Sequence, residues 1–506
     1  MRLTRYGKWT VLSLLSAASL LGATVNSRLA DAAEVGDKAG VQALLQQGVD
    51  VNAPQVDGTT ALHWAANNGD LQMVELLVRA HANVKAADRY GVTPLSSACE
   101  AGNGPMVELL LKAGADPNTV LAGGETVLMT AARTGDVETV KALLSRGAGV
   151  NAKVARSGQT ALMWAAAEGN TQAVEALLKA GADFKIRENH GFSPLLFAAR
   201  EGKGEVVAAL IKAGEDPNEA VQPLHRLRQR GDTDRVADIS KPGTSALALA
   251  VVNAHFEVAL KLLEAGANPN AIGPGWAPLH AITWVRKPGT GDNQPGPRGS
   301  GTMTTLDMVK QLVEHGANVN LPMTKNVASI LTKLNTKGAT AFMLAARTAD
   351  AELMRYLVKL GADPLKPNDD NSTPLMAAAG LGTRAPGEDA GTDSEAIEAI
   401  QVALELGADI NAVDNQGETA MHGAAYKGLP GAVQFLSDKG AKIDVWNRKN
   451  KRGWSPLAIA QGYRPDNFTP LPTTEAAIRR LMTAAGVSTE TDAKFCDHYA
   501  KEACDK

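Results

Sequence analysis

Cysteine is nearly missing from this chain, with three in 506 residues. That count excludes a disulfide scaffold. Charge of one sign is missing too: the formal net charge is −3, so nothing in it favours nucleic acid or anionic lipid as a partner. Past the N-terminus no apolar stretch is long enough to span a bilayer. The sequence also lacks a Gly-x-Ser-x-Gly elbow, a His-Glu-x-x-His pair, a phosphate loop, a Gly-x-Gly-x-x-Gly after a strand, a calcium loop and a Cys-x-x-Cys-His haem site. The nine histidines are scattered. These absences together argue against an enzyme, and no catalytic residue, metal site or cofactor is expected.

The N-terminus does carry a pattern. Arg2, Arg5 and Lys8 precede an uncharged apolar run from Trp9 to about Val25, and Ala30-Asp31-Ala32 forms a small-x-small site. This reads as a secretory signal peptide over residues 1–32, cleaved after Ala32, which places the protein in a periplasm or outside the cell. The run is short for a retained anchor and holds four Ser or Thr residues after Val11. No cysteine stands near the site for a lipid, and Arg2 and Arg5 are not adjacent as a twin-arginine signal requires. Residues 1–32 hold four basic and one acidic side chains, which leaves about −6 for the mature chain.

What fills the rest is a repeat. Glycines recur at Gly58, Gly91, Gly124, Gly158 and Gly191, at spacings of 33, 33, 34 and 33. Each opens Gly-x-Thr/Ser-Pro/Ala-Leu and an alanine pair, then an apolar Leu-Leu pair, then Gly-Ala-Asp/Asn with Pro-Asn or Val-Asn. A fixed period of this length means a stacked solenoid, which presents a surface rather than a deep pocket. Further openings stand at Gly243, Gly275, Gly338, Asn371 (in place of glycine), Gly417 and Gly453, eleven in all, with a half repeat over Asp37–Asn52. Asp57, Gly58, Thr60, Leu62, His63, Ala65, Ala66 and Gly69 match the ankyrin motif almost letter for letter, and the chain resembles the ankyrin repeat family over residues 34–487. The resemblance implies an all-α stack of helix-turn-helix units with β-hairpin-like fingers, followed by a tail over 488–506.

The repeated residues have physical roles. Thr or Ser before Pro caps an inner helix. Alanine pairs such as Ala131–Ala132 and Ala165–Ala166 let helices approach closely. Glycines such as Gly114 and Gly181 suit a left-handed residue past the outer helix, and His81 replaces one of them. His63, His280 and His422 invite a metal or catalytic reading, but the family pattern implies that each braces the adjacent finger. Trp64 and Trp164, with Phe197 and Leu344 at the same register, are expected to stack in the core first and to face a ligand second. Cys99 occupies an alanine-pair position. Cys496 and Cys504 in the tail are expected to pair, provided a turn brings them together, since eight positions along a straight helix would part them by about 12 Å. Cys496 with His498 supplies two metal ligands, too few for a site.

Five segments interrupt the period: 219–241, 286–303, 321–337, 380–394 and 463–472. Segments 219–241 and 321–337 are read as partner-specific decoration and the others as neutral loops. Leu224, His225, Leu227, Val236 and Ile239 make the first apolar enough to fold onto the groove.

The resemblance implies a concave binding face built from finger tips and inner-helix ends. Carried over by register, that face comprises Arg89, Tyr90 and Glu100, then Arg133, Thr134, Arg156, Ser157 and Glu168, then His190, Phe192, Arg200 and Glu201. The expected partner is another protein, with no nucleic acid, no membrane and no cofactor, and the chain is expected to act as a monomer. Two alternatives remain open: an inhibitor or immunity protein of an exported enzyme, and a small-ligand-binding protein or enzyme that uses the inserts as a lid.

Overall fold

Each inner helix starts where a threonine or serine in extended conformation meets proline or alanine. Thr93 (φ −117°, ψ 159°) accepts the Ser96 amide on Oγ1 at 3.1 Å, with Pro94 in the first turn. Ser193 and Thr373 do the same for Leu196 and Met376 at 3.3 Å. The inner helices run only five to nine residues, too short to hold in isolation. Packing supplies the stability: Ala65, Ala66, Ala98, Cys99, Ala131, Ala132, Ala165 and Ala166 are all fully buried. Several outer helices start on Asp or Asn caps, as where Asp70 accepts the Met73 amide at 3.0 Å. They end on left-handed residues, and His81 (φ 64°) takes the glycine's place there as its position in the motif implies.

The computed structural model describes residues 27–222, 241–289, 296–327, 332–463 and 469–490. Among these, twelve inner–outer helix pairs stack in chain order, from Arg28–Glu34 with Lys38–Gln46 to Pro456–Ala460 with Pro472–Ala484, and a single-turn helix, Ile443–Trp446, sits in a finger. The result is an all-α repeat solenoid. The fingers are not continuous β-hairpins: the described residues hold only three isolated antiparallel bridges, Val120–Thr126, Ala220–Ser245 and Thr332–Thr383. Single backbone bonds link successive fingers instead, as from Arg89 N to Asp57 O at 2.9 Å and from Asn189 N to Ser157 O at 2.8 Å. No described helix is long and apolar enough to cross a membrane.

The asparagine that closes the repeat forms a second tie. Asn151 Oδ1 accepts the Asp183 amide at 2.8 Å and its Nδ2 donates to Gly181 O at 3.2 Å. Seven such rungs cross repeat boundaries, from Asn52, Asn118, Asn151, Asn218, Asn270, Asn320 and Asn411.

The N-terminal boundary moves. Residues Arg28–Glu34 form the inner helix of the first pair, with Leu29, Ala30 and Ala33 fully buried against the helix Ala61–Asn67. Cleavage after Ala32 would strip that helix from the stack, so the half repeat at 37–52 is the second part of a complete unit. Residues 1–26 lie outside the described residues.

The inserts divide differently from their sequence reading. Segments 286–303 and 380–394 are bonded into the stack rather than neutral. Arg286 pairs with Asp350 at 2.5 Å and also with Glu352, while Lys287 reaches Glu395 at 2.8 Å. Arg347 pairs with the buried Asp389 at 2.7 Å. Segment 321–337 joins 380–394 through the Thr332–Thr383 bridge and the Lys333 N to Gly382 O bond of 2.7 Å. Gly382 makes this seam possible, because a Cβ there would lie 2.6 Å from Leu334 N. Segment 219–241 closes at its neck through Val221 and Thr244, bonded at 2.9 Å. Its apolar residues Leu224, His225, Leu227, Val236 and Ile239 lie outside the described residues, as does the central part of 463–472.

Candidate functional site

The three motif histidines are structural. His63 Nδ1 accepts the Thr60 amide at 3.1 Å, and Nε2 meets Val92 O of the next finger at 3.1 Å. His280 and His422 repeat the pattern on Leu321 O at 2.9 Å and Arg448 O at 3.2 Å. Because Nδ1 accepts an amide, the proton sits on Nε2 and the ring is neutral. Burial reinforces this, pushing His280 and His422 each down to about 4 and lowering His63. Among the described residues no three His, Cys, Asp or Glu side chains converge as a metal site would require.

Several of the residues expected on the binding face are held in pairs. Arg89 lies over the Tyr90 ring, 4.8 Å from its centroid, and donates to its hydroxyl at 2.6 Å, while Tyr90 is 57% exposed. Arg133 reaches back one repeat to Glu100 at 3.2 Å. Thr134 turns its hydroxyl inward, onto Ala131 O at 3.1 Å. Arg156 and Glu168 are exposed, and Ser157 is half-buried with its hydroxyl on Gln159 at 3.2 Å. His190 is exposed and its Nδ1 lies 2.9 Å from the buried Glu188. Arg200 bonds Glu201 at 2.8 Å.

Phe192 is a correction. It is 3% exposed and packs on Phe197 at a centroid distance of 5.4 Å, with the Arg200 guanidinium over both rings. The aromatic pair therefore lies beneath Arg200, whose guanidinium covers both rings. Trp64 and Trp164 are half-buried, and Trp64 donates to Gln55 at 2.8 Å, so the position is shared between core and face. At the N-terminal end the face continues as an open recess lined by Asp31, Glu34, Asp57, Trp64 and Arg89, beside Val56, which is 95% exposed. Cys99 is a buried free thiol whose burial pushes its pKa up, so it is inert. Cys496, His498 and Cys504 lie outside the described residues.

A second concavity, of about 200 Å3, lies where the joined inserts meet the fingers of the last three repeats. Leu334 and Leu381 form one side and the buried Asp414, Glu418, Tyr426 and Asn450 the other. Asp414 is satisfied by its own finger and the one before: Oδ1 accepts the Gln416 and Glu418 amides at 2.8 and 2.9 Å, and Oδ2 the Ser372 hydroxyl at 2.8 Å. Glu418 Oε1 accepts from the Tyr426 hydroxyl and Asn450 Nδ2, each at 2.7 Å. Burial raises its pKa, offset in part by those two donors. The sequence analysis did not find this site. Glu418 gave no distinct signal in the sequence, since the same register position holds another acid, Glu125, in the third repeat.

With this geometry in hand, the comparisons are consistent. The family model for ankyrin repeats in three copies matches residues 29–121, 128–221 and 302–385, and one for many copies matches 390–436. The chain belongs to the ankyrin repeat family. The first match begins at residue 29, inside the helix Arg28–Glu34. Among individual proteins, the chain is 34% identical over 139 residues to the mouse B-cell lymphoma 3 protein homolog, covering 27% of this chain and 24% of that one. It is 26% identical over 234 residues to human transient receptor potential cation channel subfamily A member 1, covering 44% and 17%. An ankyrin repeat protein of fowlpox virus is 44% identical over 50 residues, covering 10% and 12%. The chain thus spans less than a quarter of the length of these relatives.

Proposed function

We propose that this ankyrin repeat protein is an exported, non-catalytic scaffold that holds a partner protein against its concave face. The observation that carries the reading is the set of prearranged side chains on the second, third and fifth repeats: Arg89 on Tyr90, Arg133 on Glu100, and Arg200 on its two phenylalanine rings. Each arginine is already held by a neighbour in the free protein, so little side-chain freedom is lost on binding. Arginine and tyrosine are also the residues that most often anchor an interface. The signal-like N-terminus supports export, with the mature chain starting upstream of the helix Arg28–Glu34.

The test is affinity capture from the exported fraction of the source organism. The wild type would run beside a Tyr90→Ala, Arg133→Ala, His190→Ala variant, three exposed positions, with its fold checked by circular dichroism. A protein retained by the wild type and lost by the folded variant is the expected result. Equal retention by both would sink the concave-face reading.

A further inference from the structure

The concavity near the C-terminal end combines buried acids with exposed basic residues. Its inner wall holds Glu418, 9% exposed, whose two hydrogen-bond partners, Tyr426 and Asn450, are both neutral and both act on Oε1. Among the described residues Oε2 receives no donor, and Glu418 is one of the residues that line the cavity. Burial raises its pKa, the Tyr426 and Asn450 hydrogen bonds and Arg452 offset this in part, and the neighbouring Asp414 adds to it. The cavity's cations, Lys333, Lys451 and Arg452, are all exposed. Acid inside and base outside is the charge pattern of a ligand with a cationic end and an anionic end. The volume of about 200 Å3 equals the space of about seven waters at ~30 Å3 each, which suits a molecule of roughly ten heavy atoms.

The enclosure is built rather than incidental. Glu418 and Tyr426 belong to the repeat, but Leu334, Leu381 and Gly382 come from two inserts that depart from it and bond to each other. Tyr426 stands at the inner-helix register held by Glu100, Arg133 and Arg200 in earlier repeats, so the cavity is the concave groove closed over by added chain.

We propose that this cavity binds a small zwitterion of amino-acid size, with its ammonium group on Glu418 Oε2 and its anionic group toward Lys451 and Arg452. The site is separate from the face assigned to a protein partner.

The test is isothermal titration calorimetry of the full chain with each of the twenty protein amino acids in turn. The best binder would then be compared with its decarboxylated amine and its deaminated acid. At least tenfold weaker binding of both half-ligands is expected. Glu418→Gln keeps an oxygen for Tyr426 and Asn450 and should weaken the amino acid at least tenfold. The exposed pair Lys451→Ala, Arg452→Ala should do the same without touching the core. The groove variant at Tyr90, Arg133 and His190 should bind it unchanged. The proposal is overturned if no amino acid binds, if Glu418→Gln binds as tightly as the wild type, or if the amine alone binds as well as the zwitterion.

Discussion

Asn320 and Asp363 are joined across a repeat boundary, the asparagine Oδ1 accepting the aspartate's backbone amide at 2.7 Å. The same side chain donates to Gly361 O at 2.9 Å, so one residue satisfies two backbone groups of the following turn. Asn320→Ala should destabilise the protein by about 1–2 kcal/mol. Urea denaturation would show it as a lower midpoint. An unchanged midpoint would mean that water replaces the rung at no cost.

The ladder is broken where Lys85, Lys185 and Leu365 stand in the asparagine's place, Lys185 between Asn151 and Asn218. Lys185→Asn should restore a rung onto the Asp216 amide and the Gly214 carbonyl and stabilise by roughly 0.5–1 kcal/mol. A midpoint at or below that of the wild type would count against the rung as a transferable element.

Buried neutral histidines set a pH dependence. His280 and His422 have folded-state values near 4, below the 6.5 of an exposed imidazole. The unfolded chain therefore binds more protons between these values, and stability falls as pH drops from about 6.5 toward 4. Each ring accounts for roughly 3 kcal/mol over that window. Urea midpoints at pH 7.5 and pH 5 should differ in this direction, and His422→Gln should shrink the difference. A flat profile would contradict the neutral brace.

Glu215 reverses the sign. It fills the slot that Ala182, Ala267 and Ala362 occupy elsewhere, only 6% exposed, and burial with the neighbouring Glu219 pushes its carboxyl up to about 7. A raised acid contributes stability below about 4.5 and loses it as pH rises through 7. Glu215→Ala should thus stabilise the protein by about 1–3 kcal/mol at pH 8, and by less at pH 5. If the variant is no more stable than the wild type at pH 8, the carboxylate has a compensating partner.

Processing gives a further check. Leu29 and Ala30 are fully buried, so the mature N-terminus of exported protein should lie at or before Arg28. Intact mass of protein recovered from the source would decide it. A chain beginning at Ala33 would require the first repeat to stand without its inner helix.

Much of this was written in the sequence because each feature recurs. The Thr-Pro start at Thr93, the left-handed His81 and the brace from His63 depend on local contacts that repeat every 33 residues. Three things were not legible. The helix Arg28–Glu34 lacks the Gly-x-Thr-Pro opening and merges with a signal-like run. Phe192 occupies a motif position whose exposure depends on what lies above it, here Arg200. The meeting of 321–337 with 380–394 is a contact between non-periodic segments, for which neither spacing nor propensity leaves a trace. Glu418 lay in plain view but gained meaning only once the inserts closed over it.

The bridge from Thr332 to Thr383 and the pair of Lys287 with Glu395 each pass over an intervening helix pair. An ordinary solenoid is a row of dominoes in which a unit leans only on its neighbours. These clamps tie the eighth, ninth and tenth units into one mechanical element. Stretched between its ends, the N-terminal row should peel away unit by unit in small even steps, while the clamped block holds and then yields in a single larger jump.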